Sequence, residues 1–499
     1  MEQTYSKRQA ARDIFRLAWP AVMEQILTTA VSYVDTAMVG HSGAYASAAV
    51  GVTMTVNWLI NGTVSALGIG FLAYIARAVG ARQHELARRA SAQAVLAMLL
   101  SGVLFTILPL LLAAKIPEWM NADPHLRSEA AEYFFILYIP MLFRSATIIF
   151  GTVLRASGDT RTPMVVNGAM NAVNVVLNFF FIYETRAVTV LGRAITMPGL
   201  GLGVSGAAIA SAISFVVGGV WMMAALLRNP LVSPRGSTLR PDSAILKPCL
   251  RVAIPAALQR FATSFGYVAF SSMINTLGAT STAAHTIANT AESAFYIPGY
   301  GMQAAASTLI GTSYGENDRH KMRMLSRMLL IIEFIVMTLS GAALFFGAEA
   351  VMSLFTQDEI VIRTGARVLR MVALTEPIYG VAVILEGIFN GVGDTMHTFV
   401  FNVVGMWGVR ILGTYIFVIR LGQDLTSAWA CMIAHNLLLF LLFAGYYISG
   451  KWNPMNRKNA VQNHVTRGLL INAGKDFDQG GFATTLADGT HALIRCSKV

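Results

Sequence analysis

Residues 34–40, Val34-Asp35-Thr36-Ala37-Met38-Val39-Gly40, close a long apolar run that opens at Ile14. A bilayer crossing takes about 20 residues at about 1.5 Å each, and the run has that length. It also carries Glu24, Thr28, Ser32 and Asp35 at helical spacing, so one polar stripe descends an otherwise oily helix. A carboxylate in hydrocarbon is costly and normally faces a protein interior or a wet cavity. The competing reading of Asp35 is a carboxylate solvated at the outer end of its helix. The rest of the chain reads as the container built around that cavity.

Composition sets the class. The 499 residues are 55% apolar and only 13% charged, with a mean hydropathy of +0.57. Soluble domains carry about 25% charged residues, so this is a membrane protein. The 24 Met and 27 Phe suit lipid-facing surface and an adaptable, weakly selective lining. Cys249, Cys431 and Cys496 lie far apart, without metal-ligand or redox spacing. The first apolar run is too long for a signal-peptide core and is expected to remain as a span.

Twelve apolar spans follow, at 14–39, 47–75, 92–114, 129–154, 163–183, 204–227, 249–275, 282–312, 325–347, 362–390, 398–419 and 426–449. Basic residues choose the orientation. Lys7, Arg8 and Arg12 precede span 1; Arg77, Arg82, Arg88 and Arg89 follow span 2; Arg155 and Arg161 follow span 4. Arg228, Arg235, Arg240 and Lys247 follow span 6, Arg319, Lys321 and Arg323 span 8, and Lys451 and Arg457 span 12. Every second loop but the one after span 10 is basic, which places these loops and both termini in the cytoplasm of a multi-pass plasma-membrane protein. Charges that alternate with spans do not form a nucleic-acid face. The expected organisation is a cytoplasmic N-terminus (1–13), an N-lobe (14–227), a Pro-rich hinge (228–248), a C-lobe (249–449) and a polar, disordered or peripheral tail (450–499).

The halves repeat. Ala18-Trp19-Pro20-Ala21 returns as Ala253-Ile254-Pro255-Ala256, 235 residues on, and Gly158-Asp159-Thr160 returns as Gly393-Asp394-Thr395 in the same register. Gly43-Ala44 and Gly278-Ala279, Gly80 and Gly315, and Asn167 and Asn402 also match. Six spans is an even number, so the halves enter from the same side and form parallel repeats. The fold class is therefore all-α and polytopic: twelve transmembrane helices in two pseudo-symmetric six-helix bundles. The polar residues break the symmetry. Asp35 corresponds to Phe270, Asn57 to Glu292, and Asn174 and Asn178 to Val409 and Gly413.

Span 5 carries Asn167, Asn171, Asn174 and Asn178 at i, i+4, i+7 and i+11, one ridge. It is either interhelical glue or a row of amides facing span 1, able to bond the Asp35 carboxylate or share a cation with it. Span 8 places His285, Asn289, Glu292 and Tyr296 on one face, followed by Pro298-Gly299-Tyr300-Gly301, which is expected to loosen the helix. Glu292 is read as a coupling or substrate group, against a structural partner of Arg260 or Arg410. Span 10 adds Glu386 and Asn390 to the stripe, with Glu376 assigned to an ion pair with Arg370. Arg144, Arg260, Glu333, Arg410 and His435 are read as ion-paired or hydrogen-bonded core groups. No phosphate-cradling Gly-x-x-x-x-Gly-Lys-Ser/Thr loop, His-Glu-x-x-His or Cys-x-x-Cys occurs, so neither ATP nor catalysis is indicated, and no cofactor is implied. Uphill transport would draw on an ion gradient.

Two six-span halves, the Val34–Gly40 pattern and the paired Gly-Asp-Thr loops together resemble the multidrug and toxic compound extrusion (MATE) family over about residues 10–450. The resemblance implies a secondary antiporter that expels small organic, often cationic, compounds in exchange for H+ or Na+, and a monomer is expected. It implies an N-lobe cation site at Asp35, Asn174 and Asn178, with Na+ as one occupant. It also implies a departure: NorM-type members carry acids where this chain has Thr263 and Tyr379, which leaves Glu292 as the C-lobe replacement. The rivals are a flippase for lipid-linked saccharides, an exporter of one dedicated metabolite, a membrane-embedded enzyme and a passive channel.

Overall fold

A computed structural model describes residues 5–40, 44–120, 123–190, 193–456, 484–485 and 491–492. The chain divides at residue 448. The first unit begins with α1 (Lys7–Gly40), α2 (Ala44–Gly80), α3 (His84–Leu112), a short α4 (Ile116–Trp119), α5 (Pro124–Tyr138), α6 (Met141–Ala156) and α7 (Arg161–Phe181). An antiparallel hairpin of β1 (Glu184–Val190) and β2 (Arg193–Leu200) leads to α8 (Gly203–Arg228). The second half runs through α9 (Ser243–Asn275), α10 (Ala279–Gly315), α11 (Arg319–Ser353), α12 (Glu359–Ala373), α13 (Glu376–Val392), α14 (Thr395–Arg420) and α15 (Leu425–Ile448). In the second unit, Thr484 and Thr485 pair with Ala492 and His491. Most of the tail expected to be disordered lies outside the described residues.

Among the described residues seven helices are long and apolar enough to cross a membrane, nine when each bent pair counts as one span. The more polar α1, α9 and α10, of 34, 33 and 37 residues, are long enough to cross as well and bring the count to twelve. The repeat is visible in the backbone. The first residues of α2, α3, α5 and α6 recur 235 positions later as those of α10, α11, α12 and α13. Arg82 and Asn317 both have φ 57°, and Gly158 and Gly393 have φ 88° and 83°. The left-handed turn after the fourth span is thus kept in both halves by the residue that adopts it without strain.

Each lobe has its own core: Phe71, Phe134, Tyr138 and Phe150 in the first, Phe270, Leu369, Trp429 and Met432 in the second. The outside is apolar as well. Leu100, Leu104 and Leu111 on α3 are 65%, 56% and 75% exposed, and their repeat partners Ile335, Leu339 and Phe346 on α11 are 53%, 68% and 83% exposed. Paired rows of bare aliphatic and aromatic side chains form an exposed apolar surface on both halves, larger than a water-facing domain tolerates.

The elements differ from the sequence reading in five places. The fourth and tenth spans are not single rods. They bend by 52° between α5 and α6 and by 55° between α12 and α13. Pro140 caps α6 and Pro377 occupies the first turn of α13, positions where a ring without an N–H starts a new helix. The hairpin after α7 has no counterpart in the sequence reading and lengthens the first half relative to the second. The connector is shorter than the Pro-rich stretch and is tied to α3. Arg88 donates to Pro230 O at 2.9 Å, Arg89 pairs with Asp242 at 2.6 Å, and Gln93 bonds Arg240 O and Asp242 N. Asp242 caps α9, so Pro248 lies inside a helix. Finally, α10 continues through Pro298-Gly299-Tyr300-Gly301. Its glycines give close approach: a Cβ on Gly299 would meet Glu333 Oε1, and one on Gly301 would meet the Val22 backbone.

The lobes touch along α1, α2, α9 and α10, with α2 against both α9 and α10, and α1 against α10. At the basic-loop end this contact is backbone on backbone. A Cβ on Gly80 would strike Thr312 O, one on Gly315 would strike Arg77 O, and one on Gly311 would meet Ala76 Cβ at 3.0 Å. The three pairs are related by the 235-residue repeat, so the pseudo-twofold axis passes through this crossing.

Candidate ion and substrate sites

In the N-lobe, α1 and α7 run side by side and their polar rows meet. Asn178 Nδ2 donates to Asp35 Oδ1 at 2.7 Å, and Asn167 Nδ2 donates to Glu24 Oε1 at 2.6 Å. With the Asn174 amide turned so that its oxygen accepts from Ser211, its nitrogen donates to Asp35 Oδ1 at 2.8 Å and Oδ2 at 2.9 Å. The opposite orientation would set oxygen against carboxylate oxygen, so the network chooses the turned one. Asp35 is half-buried, bonded by amides and without a guanidinium partner among the described residues. Glu24 differs: Arg155 grips both its oxygens at 2.9 and 3.0 Å. Asn171 sits in the same row with its Nδ2 unbonded. Asn57 accepts from the Tyr138 hydroxyl at 2.6 Å, away from the Asp35 cluster.

This site fits a small cation in part. It offers the Asp35 oxygens and a buried Asn178 Oδ1 that no donor reaches. Its amide nitrogens, however, currently fill the carboxylate, and Na+ would need those amides to present oxygen instead. Among the described residues no group of three or more His, Cys, Asp or Glu is gathered.

The C-lobe holds a cavity of about 100 Å³. Asn289, Glu292 and Tyr296 of α10 line it, with Glu386 of α13. Glu386 is held by Gln259 at 2.8 Å. Thr263 and Tyr379 line the same cavity, and Tyr379 shares a 2.9 Å hydrogen bond with Tyr300. His285 does not line it. Its ring stands edge-on between Phe270 and Trp429, at centroid distances of 5.6 and 5.8 Å.

Several buried groups lack the partners expected of them. Arg370 pairs with Glu349 at 2.9 Å, not with Glu376. Glu376 and Glu333 are 1% and 0% exposed, and none of their four carboxyl oxygens has a hydrogen-bond partner among the described residues. Both ring nitrogens of His435 are unbonded. Arg144 lies over Phe215, 4.4 Å from its centroid, and Arg410 lies over Phe270 at 4.1 Å. Periodicity could place these residues inside but could not show that a ring, rather than an acid, would meet each guanidinium.

Two repeated six-span lobes, an exposed apolar girdle and charged groups held inside each lobe define a polytopic membrane transporter. A family model, MatE, matches residues 20–180 and 255–416, one match in each half, and the chain belongs to that family. It is 26% identical over 441 residues to "Probable multidrug resistance protein NorM" of Thermotoga maritima, covering 88% of this chain and 93% of that one. It is 23% identical over 450 residues to "Probable multidrug resistance protein YoeA" of Bacillus subtilis, covering 89% and 95%. A crystal structure of MATE in complex with MaL6 superposes with a TM-score of 0.82 at 24% identity, over 90% of this chain and 97% of that one. A MOP superfamily transporter from Pyrococcus furiosus gives 0.80 at 24% identity, over 88% and 96%.

Proposed function

We propose that this protein is a secondary active antiporter that exports small organic molecules, cationic or amphipathic, in exchange for H+ or Na+. The proposed lobes are 14–227 and 249–449, in a plasma membrane with both termini on the cytoplasmic side. The observation that carries the reading is the Asp35 carboxylate, inside a membrane helix and held by neutral amides instead of a fixed cation. A charge so placed is free to exchange mobile cations. Asp35, Asn174 and Asn178 form the coupling site. Glu292, with Asn289, Tyr296 and Glu386, supplies the second, C-lobe site for substrate or ion. His285 and Asn57 support the walls of the two lobes. The ionised Asp35 favours the substrate-loaded state; an ion arriving from outside neutralises it, and the weakened attraction releases substrate. The names of the multidrug-resistance relatives support the substrate class.

The test is efflux from sealed vesicles under a proton gradient alone, then a sodium gradient alone. Exactly one gradient should drive wild-type efflux, and Asp35→Asn should abolish it while the purified protein stays monodisperse. Undiminished efflux by the variant would remove Asp35 from the mechanism.

A further inference from the structure

We propose that the C-lobe cavity is an anion site, in which Arg410 and His435 receive a small anion, either a free halide or the carboxylate of an amphoteric substrate. This does not rest on the coupling role of Asp35. Arg410 is only 3% exposed, and its Nε and Nη2 reach no acceptor. Its guanidinium is wedged 4.1 Å from the Phe270 centroid and 4.9 Å from that of Tyr267. Among the described residues no carboxylate oxygen comes within 4.0 Å of it. His435, 6% exposed, lines the same cavity with both ring nitrogens unbonded. Its ring packs against Gly405, where a Cβ would collide with Cδ2, so the ring is held in place. Asn289 and Asn436 add amide donors to the lining.

A buried cation and buried donors without acceptors are costly unless something satisfies them. Aromatic faces compensate the charge of a guanidinium in part, but they accept none of its in-plane N–H bonds. Of the two carboxylates that line the cavity, Glu386 is already held by Gln259, and Glu292 shares the space with Arg410 without coming within 4.0 Å of it. The space between them suits a ligand that offers an acidic group to Arg410 and, if amphoteric, a cationic group to Glu292. The repeat sharpens the contrast. Where the N-lobe sets amides around Asp35, the C-lobe sets Arg410 over Phe270, the counterpart of Asp35. Arg410 itself corresponds to Val175, so the C-lobe brings its positive charge to the counterpart of Asp35 from a neighbouring helix.

The test is equilibrium binding of radiolabelled chloride to the full chain in neutral-lipid nanodiscs, which needs no ion gradient and so fails independently of the exchange reading. Wild type should bind chloride displaceably. Arg410→Gln should weaken binding tenfold or more, Arg410→Lys less, with both variants monodisperse. A rhodamine free acid that displaces chloride where its ethyl ester does not would identify the anion as a substrate carboxylate. Displacement by bromide but by neither dye would identify it as a free halide. Absence of displaceable chloride in wild type, or binding unchanged in Arg410→Gln, overturns the proposal. So would binding that appears only in Glu292→Gln, which would show that Glu292 itself fills the site.

Discussion

Glu24 and Asp35 stand on one stripe of α1, and α7 meets each with an asparagine, Asn167 and Asn178. The amides are alike; the third partner differs. Arg155 neutralises Glu24, with side-chain exposures of 17% and 12%, whereas Asp35 has no such neighbour among the described residues. Removing one member of a buried pair strands the other, a cost of about 3–5 kcal/mol, while replacing both with apolar groups is often neutral. Glu24→Gln should therefore lower the thermal midpoint of the purified protein, and adding Arg155→Met should restore most of the loss. A double variant no better than the single would show that the pair is not the source. At the other end, Asn178→Ala deletes a hydrogen bond to a charged group, net about 1.5–3 kcal/mol, or roughly tenfold or more in exchange. Asn167→Ala should cost less than Asn178→Ala in vesicle exchange assays; the reverse order would shift the coupling site toward Glu24. The sequence showed that the asparagine row could face α1, because spacing alone sets a helix face. It did not show which acid is permanently paired, because Arg155 lies in a distant span.

At the scale of elements, the spans and the repeat were legible because both are one-dimensional patterns of polarity. The bends were not, since each bent pair still passes as one span by length and composition while the axis turns. Pro140 and Pro377 were the available signals. Nor was the crossing of α2 and α10 legible: Gly80 and Gly315 were seen as matching letters, but the apposed carbonyls of Thr312 and Arg77 are a tertiary fact. Overpacking costs about 1–3 kcal/mol where neighbours can yield, and here the neighbour is backbone. Gly315→Val should therefore part the two helices at the basic-loop end. Maleimide labelling of Ala76→Cys, in a chain whose Cys249, Cys431 and Cys496 are replaced by serine, should rise at least tenfold in that background. Unchanged labelling would mean that the crossing absorbs the side chain without opening.

For the whole molecule, the same crossing decides what the two lobes can do. Lobes related by a pseudo-twofold axis along the membrane normal exchange access by rocking against one another. The contacts nearest the axis must break for the basic-loop end to open. Ala76 and Gly311 are repeat partners that face each other there, with 3.0 Å between Ala76 Cβ and the site of a Cβ on Gly311. A disulfide needs Cβ atoms about 3.5–4.5 Å apart, so a small adjustment of either helix suffices. Ala76→Cys with Gly311→Cys should cross-link under mild oxidation and hold that end shut. Efflux from vesicles should then fall to background and return on reduction, while either single variant should be insensitive to oxidant. Full transport by the cross-linked protein would mean that substrate passes without separation at the axis. The rocking of the lobes would then have to be replaced by movement within one lobe, for which the bends between α5 and α6 and between α12 and α13 are the available joints.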